Sequence, residues 1–301
     1  MPRISIILPV YNVGRYLEAA LSSLTSQTMN NIEIIAVNDG STDNSEEILQ
    51  RYQEKYDSIA YYNQSNSGQS AARNHALRYA NGEYVYFMDS DDIIDTDALR
   101  VCYEYAEHTK ADFIFFDGDT IQEEGATSIT WDYKRTYLVE ENIRYDGETL
   151  LNTMLDKEKH NCVVWLLFIR RAFLDRIGLR FYEGIIHEDE LYTTILTLSS
   201  DNIYCLKRCL VKHRVRSTST MGKQYSKRNI NCYLTVADEL LRYSNAAIIH
   251  KFLRYTLSKV FYTGFQIPFK EKPLVFLRAV KSGYLKYIGF RPAIVFWFKR
   301  K

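Results

Sequence analysis

Four short apolar runs, each followed by a polar turn and a helix-patterned segment, occupy the first hundred residues, and no other feature restricts the fold as strongly. Ile4–Val10 and residues 32–37, 59–62 and 84–88 are strand-length and rich in β-branched and aromatic side chains. Between them, Leu17, Ala20, Leu21 and Leu24 recur at helical spacing, Ser45 opens a segment with Glu46 and Glu47 in its first turn, and residues 70–79 continue the pattern. Strict alternation of this kind predicts an α/β fold, a mainly parallel sheet with helices on both faces. With 301 residues the chain can bury one sizeable core and add a smaller unit.

The fourth run, Tyr84–Met88, ends in Asp89-Ser90-Asp91-Asp92. Clustered carboxylates repel one another unless a cation joins them. A hard divalent ion, Mg²⁺ or Mn²⁺, suits oxygen ligands and keeps positions open for phosphate oxygens. Ligands in open α/β sheets bind beyond the carboxyl ends of the strands, where this tetrad stands. The tetrad is therefore expected to form a metal–diphosphate site, with some of its acids also serving as helix caps. An EF-hand beginning at Asp89 would need Gly and Glu where Ile94 and Arg100 stand, and a phosphatase-type aspartate pair usually follows the chain's first strand.

No Gly-x-Gly-x-x-Gly or Walker loop is present, so side chains must hold any nucleotide. Candidates follow successive strands: Pro9, Tyr11 and Asn12 after the first, Asp39 after the second, Gly68 and then Arg73 after the third. Tyr11 offers an aromatic face, Asp39 could accept from a base N–H, and Arg73 could close over a base or pyrophosphate. Packing and turn formation are the plainer alternatives for Tyr11 and Asp39.

Further on, a helix over 97–109, a strand over 112–116 and hairpin signals through Arg144 are expected, then a strand over 163–170 and a short helix over 171–177. His187-Glu188-Asp189-Glu190 opens another helix, and 206–216 reads as a basic strand. In such a strand His213 and Val215 face one way and Arg214 and Arg216 the other, so either set could meet a leaving group. His187 and Glu190 could share a helix face like zinc ligands, but no third ligand of suitable spacing follows. Trp165 is expected in the core rather than in an acceptor site.

The segments ISIILPVYNVGRYLEAALSSLTSQT, EIIAVNDGSTDNS, SNSGQSAARNHAL and GEYVYFMDSDD resemble the nucleotide-binding half of family 2 glycosyltransferases, enzymes of the GT-A (Rossmann-like) fold. The resemblance is continuous over roughly residues 1–100. It implies an inverting transfer of a sugar from a nucleotide donor, commonly a UDP-sugar, with a divalent metal. It further implies that Pro9, Tyr11 and Asp39 hold uracil with Arg73 nearby, that Asp89 meets ribose or the metal's water shell, and that Asp91 ligates the metal. Asn12, Gly68, Ser90, His213, Arg214 and Arg216 complete the expected nucleotide site, with His213 also a possible metal ligand. By the same resemblance Asp189 is the expected general base and Glu188 a partner for acceptor hydroxyls. A nucleotidyltransferase on a similar sheet, or a silent sugar-nucleotide or membrane-binding module, is the alternative.

Residues 202–301 carry 21 Lys and Arg against 3 acids, whereas the first 201 carry 17 against 34. Such a split suggests that the C-terminal third faces a polyanion. The basic tail mixes its cations with aromatics, which suits a helix lying on an anionic membrane, although internal packing or a homo-oligomer contact would also use them. No RNA- or DNA-binding motif accompanies it, so nucleic acid is not expected. The anticipated division is a catalytic domain at 1–218 (nucleotide-binding half 1–100, acceptor half 101–218) and a basic helical region at 219–301. The five cysteines are odd in number and lack Cys-x-x-Cys spacing, so reduced, mostly buried thiols are expected. No signal peptide precedes Ile4 and no apolar run reaches the ~18 residues of a membrane span. These features suggest a cytoplasmic protein, peripheral at the inner face of the cell membrane. Its acceptor would be a glycan or lipid-diphosphate-linked sugar in surface polysaccharide synthesis.

Overall fold

The computed structural model describes residues 1–123, 132–215 and 225–299. Strands β1 (Ile4–Val10), β2 (Ile32–Asn38), β3 (Ile59–Asn63) and β4 (Tyr84–Phe87) are the four apolar runs expected from the sequence. They alternate with α1 (Gly14–Thr25), α2 (Ser45–Lys55) and α3 (Gln69–Leu77). A two-residue β5 (Ile93–Ile94), α4 (Ala98–Thr109), β6 (Phe113–Gln122) and α5 (Gly147–Asp156) follow, then β7 (Leu167–Arg170), α6 (Arg171–Ile177), α7 (Glu188–Leu198) and β8 (Ile203–Val215). The remainder is helical: α8 (Lys227–Tyr243), α9 (Ala247–Thr263), α10 (Lys272–Lys281), α11 (Leu285–Ile288) and α12 (Phe290–Phe298).

One sheet holds all eight strands in the order β3-β2-β1-β4-β7-β6-β8-β5. Its first four are mutually parallel, and β7 then enters antiparallel to both β4 and β6. The two faces of β1 follow the two-residue period of a strand. Ile4, Ile6, Leu8 and Val10 pack with Leu17, Leu21 and Leu24 of α1, while Ile7 joins Ala72 and Ala76 of α3 on the other face. Burial on both faces is why this strand reads as a continuous apolar run.

Two expected elements differ. Among the described residues no hairpin follows residue 116; β6 instead runs on to Gln122, paired with β7 and β8. Val164–Leu166 is a single 3₁₀ turn, so the expected strand over 163–170 begins only at Leu167. Cys205 and Cys209 do lie on one strand, β8, yet Cys209 is exposed, and all five thiols are free.

α8–α12 do not stand apart from the rest. Ile230, Leu234, Leu240, Phe252, Leu257, Phe261 and Phe296 form one core with Leu151 and Leu155 of α5 and Leu191 of α7. α7 therefore faces two cores, with Tyr192 and Leu196 turned to the sheet. α5 is pressed as tightly: a Cβ on Gly147 would overlap the carbonyl oxygen of Thr197 in α7. Backbone cannot yield as a flexible side chain can, so Gly147→Ala should cost about 1–3 kcal/mol in stability. An unchanged urea midpoint for that variant would contradict the packing described.

Candidate active site

Because β1–β4 are parallel neighbours, the segments that follow them gather at one edge of the sheet. Tyr11 is the open aromatic there, 49% exposed, while Pro9 is buried as the penultimate residue of β1. Asn12 has φ +50°, and its side-chain oxygen accepts from the Thr42 N–H at 2.8 Å while its own N–H donates to Ser41 Oγ. Asn12 thus builds the turn. Asp39 is buried and accepts from the N–H groups of Ser67 and Gly68 and from Gln64 Nε2, each at 2.8 Å. A carboxylate has about four acceptor positions, so at most one is left for a ligand. Gly68, at φ +92°, adopts a conformation suited to glycine as it presents its N–H to Asp39.

The centre of the site is Arg73, which is 2% exposed. Its Nη2 donates to Asp89 Oδ1 at 3.0 Å, and its Nη1 to Glu188 Oε1 at 3.2 Å and Asp189 Oδ1 at 2.9 Å. The guanidinium also lies over the Phe181 ring, 4.9 Å from the centroid. Sequence reasoning put Arg73 against a base or pyrophosphate. Both its terminal nitrogens bond carboxylates from distant parts of the chain, and it ties the end of β4 to the start of α7. Burial opposes its charge, but Asp189, Asp89 and Glu188 outweigh that and hold it protonated.

One cation shared by three acids leaves the carboxylates undercompensated. Burial pushes Asp189 up to about 7; Arg73 pulls against it, and the charges of Glu188 and Asp89 add to the rise. Burial raises Glu188 too. A carboxylate titrating near neutrality is suited to accepting a proton.

On the other side of the tetrad, Asp92 is fully buried and accepts from His213 Nδ1 at 2.9 Å and from the Arg214 N–H at 2.8 Å. The His213 ring stacks on Trp165 at 5.1 Å between centroids and meets Tyr133 edge-on. Burial opposes the imidazolium, yet Asp92 more than compensates and lifts His213 to about 9. Arg214 turns the other way, its Nε donating to the Asp91 carbonyl oxygen at 3.0 Å and its guanidinium over Tyr16. Both faces of β8 therefore grip the tetrad, where the sequence left the choice open. Ser90 and Asp91 are buried within it. Arg216 and the 218/219 boundary lie outside the described residues.

Asp89, Asp92 and His213 each bring a ligand atom within 4.8 Å of the other two. This set shares Asp89 and His213 with the expected metal ligands and has Asp92 where Asp91 was expected. Sequence reasoning missed the Asp92–His213 pair because 121 residues separate its members. Trp165 is a core residue, as expected, and also the floor beneath His213. His187 stacks on Tyr233, while Glu190 faces His160 and accepts from Tyr233 OH.

Residues 5–178 match the family described as Glycosyl transferase family 2. The chain is 31% identical over 230 residues to "Uncharacterized glycosyltransferase YibD" of Escherichia coli (strain K12), covering 76% of this chain and 66% of that one. It is 31% identical over 235 residues to "Minor teichoic acid biosynthesis protein GgaB" of Bacillus subtilis (strain 168), covering 76% of this chain but only 25% of that longer relative. Among solved structures, S. aureus TarS 1-349 in complex with UDP-GlcNAc superposes with a TM-score of 0.74 at 22% identity, over 98% of this chain and 84% of that one. The fold is thus shared over nearly the whole chain, the helical C-terminal region included, as an α/β arrangement of the expected GT-A type. With the family match spanning more than half its length, this chain is a member of glycosyl transferase family 2.

Proposed function

We propose that the enzyme transfers a sugar from a UDP-sugar to a hydroxyl of a glycan or lipid-linked acceptor, with inversion, in the synthesis of a surface polysaccharide. The observation that carries this reading is the single guanidinium of Arg73, which ties Asp189 to Asp89 at the head of the acid tetrad. A proton acceptor and the expected diphosphate end of the site are thereby held within one network. In the step envisaged, the acceptor hydroxyl passes its proton to Asp189 as its oxygen bonds to the anomeric carbon, and the carbon–oxygen bond to UDP breaks with its electrons going to the β-phosphate. Glu188 is assigned to the acceptor hydroxyls. Tyr11 and Pro9 are assigned to uracil, with the remaining acceptor position of Asp39.

The donor set at the tetrad, carboxylates with one imidazole, fits a divalent ion such as Mn²⁺ or Mg²⁺. Asp89, Asp91, Asp92 and His213 are the residues proposed to hold it, and the ion would neutralise charge on the departing diphosphate. Arg214 adds fixed positive charge on the same side. The fold shared with the UDP-GlcNAc complex of TarS and the sequence shared with GgaB support a UDP-sugar and a surface glycan, respectively. Turnover of a panel of nucleotide sugars, with and without Mn²⁺, tests the reading. UDP-sugar turnover that requires the metal is expected, and calorimetry with Mn²⁺ that detects no UDP binding would overturn it.

We further propose that the C-terminal helices rest on an anionic membrane. Among the described residues no helix is long and apolar enough to cross one. Phe296 is fully buried and packs inward, but Phe290, Ile294 and Phe298, four residues apart on α12, point outward at 84, 42 and 78% exposure. Leu274 and Leu277 of α10 are likewise exposed, and Lys281, Lys286 and Arg291 are close by in the chain. Such a stripe suits an interfacial helix, each basic residue adding ~1 kcal/mol near anionic lipid. Sedimentation with anionic vesicles should be lost in the Phe290→Ser/Phe298→Ser double variant and weakened by salt. Equal binding to neutral vesicles would remove the electrostatic part of the proposal.

A further inference from the structure

We propose that His160, Cys162 and Glu190 form a second metal site, of the zinc class, separate from the acid tetrad. His160 and Cys162 lie in the connection between α5 and β7, and Glu190 is in the first turn of α7. One ligand atom from each lies within 4.8 Å of the other two, and His160 Nε2 stands 3.5 Å from Glu190 Oε2. Ligands at ~2.0–2.3 Å from a tetrahedral centre stand roughly 3.3–3.8 Å from one another. One pair already has that spacing, and the thiol lies within 4.8 Å of both.

A second observation points to a ligand. His160 Nε2 and Glu190 Oε2 are both buried, and their 3.5 Å ion pair lacks good hydrogen-bond geometry. The His160 side chain is only 9% exposed. Buried polar atoms are nearly always well paired, so two that converge on only this loose contact mark a place where a better partner is expected. The surroundings also hold the ligands in place. The His160 ring stands edge-on to Phe252 at 5.3 Å, and Tyr233 OH donates to the other Glu190 oxygen at 3.5 Å. Such outer contacts orient metal ligands.

The donor types decide the class of ion. Thiolate with imidazole favours zinc over magnesium or manganese, which prefer carboxylates and water. With three protein ligands, a fourth position is left for water. Glu190 directly follows Asp189, so the ion would clamp the segment at residues 160–162 to the first turn of the helix that carries the proposed base. The role inferred is positioning. It does not depend on the sugar donor or on the tetrad's own metal.

Co²⁺ titration of chelator-treated protein tests the site, because a cobalt–thiolate bond gives a near-ultraviolet charge-transfer band that an oxygen–imidazole site cannot. A band that saturates at one equivalent, is displaced by Zn²⁺, disappears in Cys162→Ser and survives in Asp91→Ala is expected. His160→Asn should weaken Zn²⁺ binding at least tenfold, and circular dichroism would confirm that both site variants are folded. Absence of the band in wild-type protein, or its persistence in Cys162→Ser, would overturn the proposal and leave a hydrogen-bonded triad. Neither result bears on UDP binding, so this proposal can fail while the proposed function stands.

Discussion

Asp189→Asn should lower kcat by about 10²–10⁴-fold, the usual contribution of a positioned general base. Asparagine keeps an oxygen that can accept from Arg73 Nη1, so the network of the site should persist. UDP affinity, measured by calorimetry with Mn²⁺, should therefore stay within a few-fold of wild type. The proposal also fixes the sign of the pH dependence. With the Asp189 carboxyl raised to about 7, it is protonated at lower pH and cannot accept the hydroxyl proton. kcat/KM should thus fall about tenfold per unit below that value and level off above it. Near-normal turnover in Asp189→Asn, or activity that rises on acidification, would remove Asp189 from the role.

Arg73→Met is expected to be the most destabilising single change. It leaves Asp89, Glu188 and Asp189 facing one another without their common cation. Removing one partner from a buried ion network typically costs about 3–5 kcal/mol, because the remaining charges stay desolvated. Urea denaturation should report that loss at neutral pH. Without the cation, the folded-state values of Glu188 and Asp189, already raised by burial, rise further above their unfolded ones. The destabilisation is then largest at high pH and shrinks as the acids take up protons on acidification. Arg73→Lys should recover little, since one ammonium cannot reproduce a fork reaching three acceptors. A loss below ~1 kcal/mol at neutral pH would mean that solvent, not Arg73, compensates the acids.

Where sequence and structure agree, the agreement has a local cause. β1–β4 were legible because each is an apolar run bounded by turn residues, and α1 because Leu17, Ala20, Leu21 and Leu24 all reach the same core. α7 was legible from three acids at its start followed by an apolar period. β5, two residues long, left no pattern to find, and among the described residues the stretch after 116 pairs with β8 rather than forming the expected hairpin. The strand that separates β4 from β6 was legible as an element but not as a neighbour, because its place depends on residues more than fifty positions away.

The same division runs through the site. Short-range order in the chain was enough to specify the element types, the parallel half of the sheet and the acids at the end of β4. Hydrophobic period and turn chemistry act over a few residues and are written directly in their succession. Folding alone decided that Arg73 meets Glu188 and Asp189 across 115 and 116 positions, and that Asp92 meets His213 across 121. Charges attract whatever lies nearest in space, and proximity between such distant residues exists only once strands have paired and helices have packed.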